Sequence, residues 1–214
     1  MCVIIIKPEG KTIPAELLRS AWNQNPHGMG FAVWNGDKWE VQKGFMKLKD
    51  ALKAIEPHNR EDTRLIAHFR FATHGGRIPE LTHPFPIEFA EGRGWLFHNG
   101  VFDINMTGED ESDTSVFAKA VSLMRPVFKG FCEFLKTEVA TNTTNASRLA
   151  VILEHSPQVF AVGSWHEEDG IYLSSYLYQY SLVWEDEDEP ELSHNHRAYP
   201  RTSRRKRRKG RRVK

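Results

Sequence analysis

Cysteine is nearly absent from this 214-residue chain, which carries only Cys2 and Cys132. Two thiols cannot build a disulfide framework, and these lack the paired spacing of a structural zinc site, so both are expected to be reduced. No apolar run approaches the roughly 18 residues that cross a bilayer. The opening Met-Cys-Val-Ile-Ile-Ile-Lys has neither the basic leader nor the cleavage site of a secretory signal. The sequence therefore predicts a cytoplasmic protein with no membrane association. Histidine is plentiful, at ten residues, yet no H-E-x-x-H and no His/Cys pairing occurs. His68, His74, His83 and His98 read as strand-end and loop residues, and neither a metal nor a cofactor is expected. No repeat at solenoid or propeller period is present.

Charge of one sign is concentrated at the C-terminal end. Residues 197–214 contain no Asp or Glu and hold 11 of the 29 Lys and Arg, which leaves 18 basic against 28 acidic residues, a net charge of −10, in the rest. The overall charge of +1 hides this partition. With 40% hydrophobic and 27% charged residues, the composition fits one globular domain. After Trp184 the chain reads Glu-Asp-Glu-Asp-Glu-Pro-Glu and then turns basic, with too few apolar residues to offset the entropy of ordering. A domain over 2–184 and a disordered tail over 185–214 are expected. Arg204 to Arg212 is dense enough to neutralise several phosphates, which makes nucleic acid a candidate partner, although no aromatic is interleaved for base stacking. A solubilising tail, attraction to Glu185 to Glu191, and a nuclear address remain alternatives.

Periodicity organises the remainder. Cys2 to Ile6 is a β-branched apolar run and predicts a strand buried on both faces. Phe31 to Trp34 and Trp39 to Phe45 flank Asn35-Gly36-Asp37 and predict a hairpin. Leu48 to Ile55 has helical spacing stopped by Glu56-Pro57. Arg64 to Phe71 reads as a strand, Thr73 to Pro86 as a loop, and Gly94 to Phe97 as a strand ending at His98-Asn99-Gly100. Ser112 to Val139 is helical with a break near Arg125-Pro126. Arg148 to Leu153, Val159 to Trp165 and Ile171 to Trp184 return to strand composition. Strands, then helices, then strands predict a layered α+β domain.

The second residue carries the chemistry. If Met1 is removed, Cys2 bears both a thiol, near pKa 8.5, and a free α-amine, near 7.7 to 8.0. The amine can then act as general base for the thiol directly or through one water. Alone, a terminal Met-Cys is as compatible with a small buried hydrophobe. Arg70-Phe71-Ala72-Thr73-His74-Gly75, His83-Pro84-Phe85, His98-Asn99-Gly100 and Ser112-Asp113-Thr114 follow in order. Read singly, Arg70 fits a strand-end salt bridge and Asp113 a helix cap beside Ser112.

Together with Cys2, this series resembles the class II glutamine amidotransferase domain, an N-terminal-nucleophile hydrolase. The resemblance covers most of residues 2–184, with its motifs in the first 115 or so. It implies a four-layer αββα sandwich in which Cys2 attacks the side-chain amide of glutamine, or a related γ-glutamyl amide, to form a thioester and release ammonia. It further implies that Asn99 and the Gly100 N–H form the oxyanion hole, that Arg70 holds the substrate carboxylate and Asp113 its ammonium, and that Thr73 and His74 line the pocket. Phe71 stands where a Trp is common in the synthase branch, and Asn25-Pro26-His27-Gly28-Met29-Gly30 resembles the glycine-rich segment with two side chains changed. No synthase-like region follows, so the expected reaction ends in hydrolysis or serves an acceptor on another protein. A non-catalytic protein of the same fold, docking nucleic acid or an acidic partner through the basic tail, is the alternative.

Overall fold

The computed structural model describes residues 2–104, 108, 110–141 and 147–176. The expected disordered tail, the basic run Arg204 to Arg212 and the strand assignment beyond residue 176 lie outside the described residues. In chain order the elements are β1 (Val3–Lys7), α1 (Ala15–Gln24), β2 (Met29–Trp34), β3 (Trp39–Phe45), α2 (Leu48–Ile55), β4 (Arg64–Phe69), β5 (Phe85–Phe89), β6 (Gly92–Asn99), α3 (Asp113–Met124), α4 (Phe128–Thr141), β7 (Arg148–Leu153), β8 (Val159–Val162), β9 (His166–Glu168) and β10 (Ile171–Leu173).

The strands form two antiparallel sheets, ordered β3-β2-β4-β1-β10-β9 and β5-β6-β7-β8. β1 lies between β4 and β10, and all five of its residues are buried. Its side chains alternate between two cores, as the period of two requires. Val3 and Ile5 join Phe31, Val33, Leu65, Ala67 and Phe69 against Leu18, Ala21 and Trp22 of α1 and Ala51 and Ile55 of α2. Ile4 and Ile6 point the other way, into a core shared with Ala32, Ile66, Phe97, Ala150 and Ile152, which joins the two sheets. On the far side of the second sheet, Ile87, Leu96, Leu149 and Val151 pack on Ala118 and Val121 of α3 and Phe131 and Leu135 of α4. Helices, sheet, sheet, helices: this is the four-layer αββα sandwich that the resemblance implied.

Local differences from the sequence reading have physical causes. The loop expected over Thr73 to Pro86 instead holds a 3₁₀ turn at Pro79–Leu81, and β5 starts inside it at Phe85. Pro86 argued against a strand, but β5 is an edge strand bonded only to β6, where a missing N–H is tolerated. The helix α1 was not anticipated; it follows Pro14 and buries Leu18, Ala21 and Trp22 at helical spacing. β4 stops at Phe69, two residues short of the expected end, so Arg70 and Phe71 leave the sheet. β8 likewise ends at Val162 rather than at Trp165, and Ser174 to Tyr176 lie outside any strand.

Candidate active site

Three strands from two sheets end near one another, and that convergence builds the site. In the β1–β4 ladder Val3 pairs with Phe69, so the antiparallel register brings Cys2 beside Arg70 and Phe71 as the chains leave the sheet. The Phe71 N–H donates to Cys2 Sγ at 3.2 Å, and the thiol donates to the Phe71 carbonyl at 3.5 Å. From the second sheet, β6 delivers Asn99 and then Gly100. The start of α3 supplies Asp113, directly after its N-cap Ser112.

One small cavity, about 20 Å³, is lined by Cys2, Arg70, Thr73, His74, Gly100 and Asp113, with Phe71, Ala72, His83, His98, Ser112 and Thr114 completing its wall. Six of the seven residues singled out in the sequence therefore meet. Asn99 is the exception. It is buried and does not line the cavity, and its Nδ2 donates to Ser174 Oγ at 2.9 Å and to the Ser174 carbonyl at 3.3 Å.

Each charged group is held in place by backbone. The Arg70 guanidinium donates to the carbonyls of Gly76, at 2.7 Å, and His74, at 3.0 Å, which folds residues 71–76 back over the site. Asp113 Oδ2 accepts the Phe102 N–H at 2.7 Å. Its helix starts with a reciprocal cap, in which Ser112 Oγ accepts from Ser115 N–H and Ser115 Oγ accepts from Ser112 N–H. A carboxylate in the first turn is also favoured by the helix dipole. Burial pushes the Cys2 thiol upward, with the Phe71 backbone and the Arg70 charge pulling against it. The thiol thus needs a base to become a nucleophile near neutrality.

Glycine is required at two places by close approach. A Cβ on Gly100 would overlap the Ser147 hydroxyl and the His98 ring, and one on Gly30 would overlap the His83 carbonyl. The second contact gives a reason for the glycine-rich segment. There, Arg70 N–H donates to the Gly28 carbonyl at 2.8 Å, His27 N–H donates to the Arg70 carbonyl at 3.0 Å, and His27 Nδ1 accepts from Ala72 N–H at 2.9 Å. Burial lowers the His27 pKa to about 4, which keeps Nδ1 free of a proton and able to accept.

A buried histidine group forms part of the cavity wall, with His83 and His98 lining it and His68 behind them. The His68 and His83 rings stack at 3.8 Å. His68 Nε2 lies 3.0 Å from the His98 carbonyl, which can only accept, so that nitrogen carries the hydrogen. His98 is held between Thr114 Oγ1, at 3.0 Å, and Ser147 Oγ, at 3.1 Å. Burial drives His68 and His98 down to about 3, and all three rings are neutral at physiological pH. Among the described residues no group of three or more His, Cys, Asp or Glu side chains is placed to hold a metal ion, and no helix is long and apolar enough to cross a membrane. The sequence reading missed Ser147 and Ser174. Neither belongs to a motif, and each is recognised only by what it touches.

The layered αββα sandwich is a fold shared with solved glutamine amidotransferases. The chain superposes on glutamine phosphoribosylpyrophosphate amidotransferase from B. subtilis with a TM-score of 0.53 and 17% identity, over 81% of this chain and 41% of that one. In sequence it is similar to glutamine–fructose-6-phosphate aminotransferase (isomerizing) of two Staphylococcus epidermidis strains, at 29% identity over 102 residues. That match covers 43% of this chain and 17% of those enzymes, so the chain matches under a fifth of their length. No family model matches the chain.

Proposed function

We propose that this protein is an amidohydrolase of the glutamine amidotransferase type that acts, once Met1 is removed, through the thiol and α-amine of Cys2 on the side-chain amide of glutamine or a related γ-glutamyl amide. The observation that carries the reading is the shared cavity of Cys2, Arg70, Thr73, His74, Gly100 and Asp113, drawn from segments far apart in sequence. An arginine and an aspartate facing one space suit a zwitterion, the guanidinium taking the α-carboxylate and the carboxylate the α-ammonium. Thr73 and His74 close the outer side of that space.

In the reaction the α-amine accepts the thiol proton and Sγ bonds to the amide carbon. The Gly100 N–H on the cavity wall stabilises the oxyanion, joined by the Asn99 amide when it turns inward about its bond to Ser174 Oγ. The C–N bond then breaks with its electron pair on nitrogen, the amine returns the proton, and ammonia leaves. Water adds to the thioester, the S–C bond breaks, and glutamate and the thiol are released. The cavity of about 20 Å³ is water-sized, so an amino acid enters only when residues 71–76 move outward. The ammonia is lost to solvent or passed to an acceptor. Among the described residues nothing favours the alternative of a nucleic-acid-docking protein.

Purified protein, with Met1 removal verified by intact mass, is incubated with glutamine and a set of γ-glutamyl amides, and ammonia is measured. Cys2→Ala is expected to abolish turnover and to leave the circular dichroism spectrum and melting temperature close to wild type. Absence of Cys2-dependent ammonia release from every amide tested rejects the proposal.

A further inference from the structure

Ser174 occupies a junction that the reaction outlined above leaves without a role. β10 ends at Leu173, and Ser174 continues its ladder to β1 by donating its N–H to the Ile4 carbonyl at 3.0 Å. Its side chain does something a ladder residue does not. Oγ accepts the Ile4 N–H at 2.8 Å, two residues from Cys2, and the same oxygen accepts Asn99 Nδ2 at 2.9 Å from the second sheet. Ser174 is fully buried and Asn99 is 2% exposed. Elsewhere the two sheets meet mainly through the apolar Ile4, Ile6, Ala32, Ile66, Phe97, Ala150 and Ile152, with directional links from His68 to the His98 carbonyl and from Trp39 to the Glu154 and Ser156 carbonyls. At the cavity end, one hydroxyl fixes the strand that carries the nucleophile against the residue expected to stabilise the oxyanion.

We infer that Ser174 is a positioning residue that sets the Asn99 amide relative to Cys2. A carboxamide nitrogen carries two hydrogens. Ser174 Oγ takes one at 2.9 Å, while Nδ2 reaches the Ser174 carbonyl only at 3.3 Å, so a small turn of the amide about the Oγ bond exchanges that longer contact for the developing oxyanion. Ser174 touches no reacting atom and acts through Asn99. The inference rests on the glutaminase reading for its catalytic consequence, and its structural half stands apart from that reading.

The test is a double-mutant cycle on the processed protein, with ammonia release as readout. Ser174→Ala is expected to lower kcat roughly 10- to 100-fold, the range for a misplaced or weakened donor, with KM within about twofold of wild type, as for a group felt only in the transition state. In the Asn99→Ala background the same change is expected to cost no further rate, because the group it positions is gone. Equal losses in both backgrounds, or an unchanged kcat in Ser174→Ala, overturn the inference while leaving the glutaminase reading intact. In parallel, the side-chain amide of Asn99 is followed by ¹⁵N NMR, where exchange slowed by Ser174 is expected to accelerate in Ser174→Ala. That measurement decides the positioning claim even if wild type turns over none of the amides, and an unchanged Asn99 signal overturns it. Should Ser174→Ala fail to fold, Ser174→Cys keeps a weak acceptor of similar size, with kcat and Asn99 exchange expected to be perturbed in the same directions but less.

Discussion

Gly100 shows how much one missing side chain controls. Its neighbours are the Ser147 hydroxyl, the His98 ring and the Ser147 Cα, the last at 3.0 Å from where a Cβ would sit. These are backbone or are themselves hydrogen-bonded, so an added methyl moves the Gly100 N–H rather than its surroundings. Gly100→Ala is expected to reduce turnover by about 100-fold, as for loss of one oxyanion donor, and to lower stability by about 1–3 kcal/mol through overpacking. Steady-state kinetics and urea unfolding of the same preparation check both. Full activity would mean that the N–H plays no part in the chemistry. At this scale the sequence singled out Cys2, Arg70 and Asp113 by residue type and motif, and the fold brings them to one cavity. The sequence was silent about Ser174 and Ser147, because a serine in a strand-rich region carries no mark until its two partners are known.

Among the elements, α3 contributes most to the site, and its start is defined by the Ser112–Ser115 reciprocal cap. Ser112→Ala removes the acceptor for the Ser115 N–H and is expected to cost about 1 kcal/mol, or roughly 2–4 °C in melting temperature for a domain of this size. Calorimetry tests the value, and an unchanged melting temperature would show that the cap contributes nothing. Helix and strand periodicity gave β1, α2, β7 and the α3–α4 pair close to their observed limits, because each buries a face with a regular repeat. β5 and the end of β4 were misjudged for the complementary reason. Pro86 is disfavoured in a strand bonded on both sides but not in an edge strand, and edge position depends on what the rest of the sheet does.

For the whole molecule, the buried histidines link stability to acidity. His68 and His98 have folded-state values lowered to about 3, and His83 is also held well below its ordinary value, all through burial. The unfolded chain takes up protons on these rings near pH 6.5. Above that pH both states carry neutral rings, and the group contributes no pH dependence. Below it the unfolded state binds more protons than the folded one, so stability falls as pH drops from about 6.5 toward about 3. The urea midpoint is expected to be flat between pH 7 and 8 with respect to these groups and to fall steadily between pH 6.5 and 4. A midpoint independent of pH through the lower range would show that the rings are hydrated or paired.

The sequence by itself determined which residues could do chemistry and which faces could be buried. A thiol beside a potential terminal amine, an arginine, an aspartate and an Asn-Gly pair are chemical identities, and alternation of apolar residues is a local property of the chain. The tertiary structure alone decided that Asn99 turns toward Ser174, that residues 71–76 fold back onto Arg70, and that three neutral histidines gather at the cavity wall. Those outcomes depend on which strands become neighbours across two sheets. That pairing is set by the summed burial of many side chains, and no local stretch of the chain contains it.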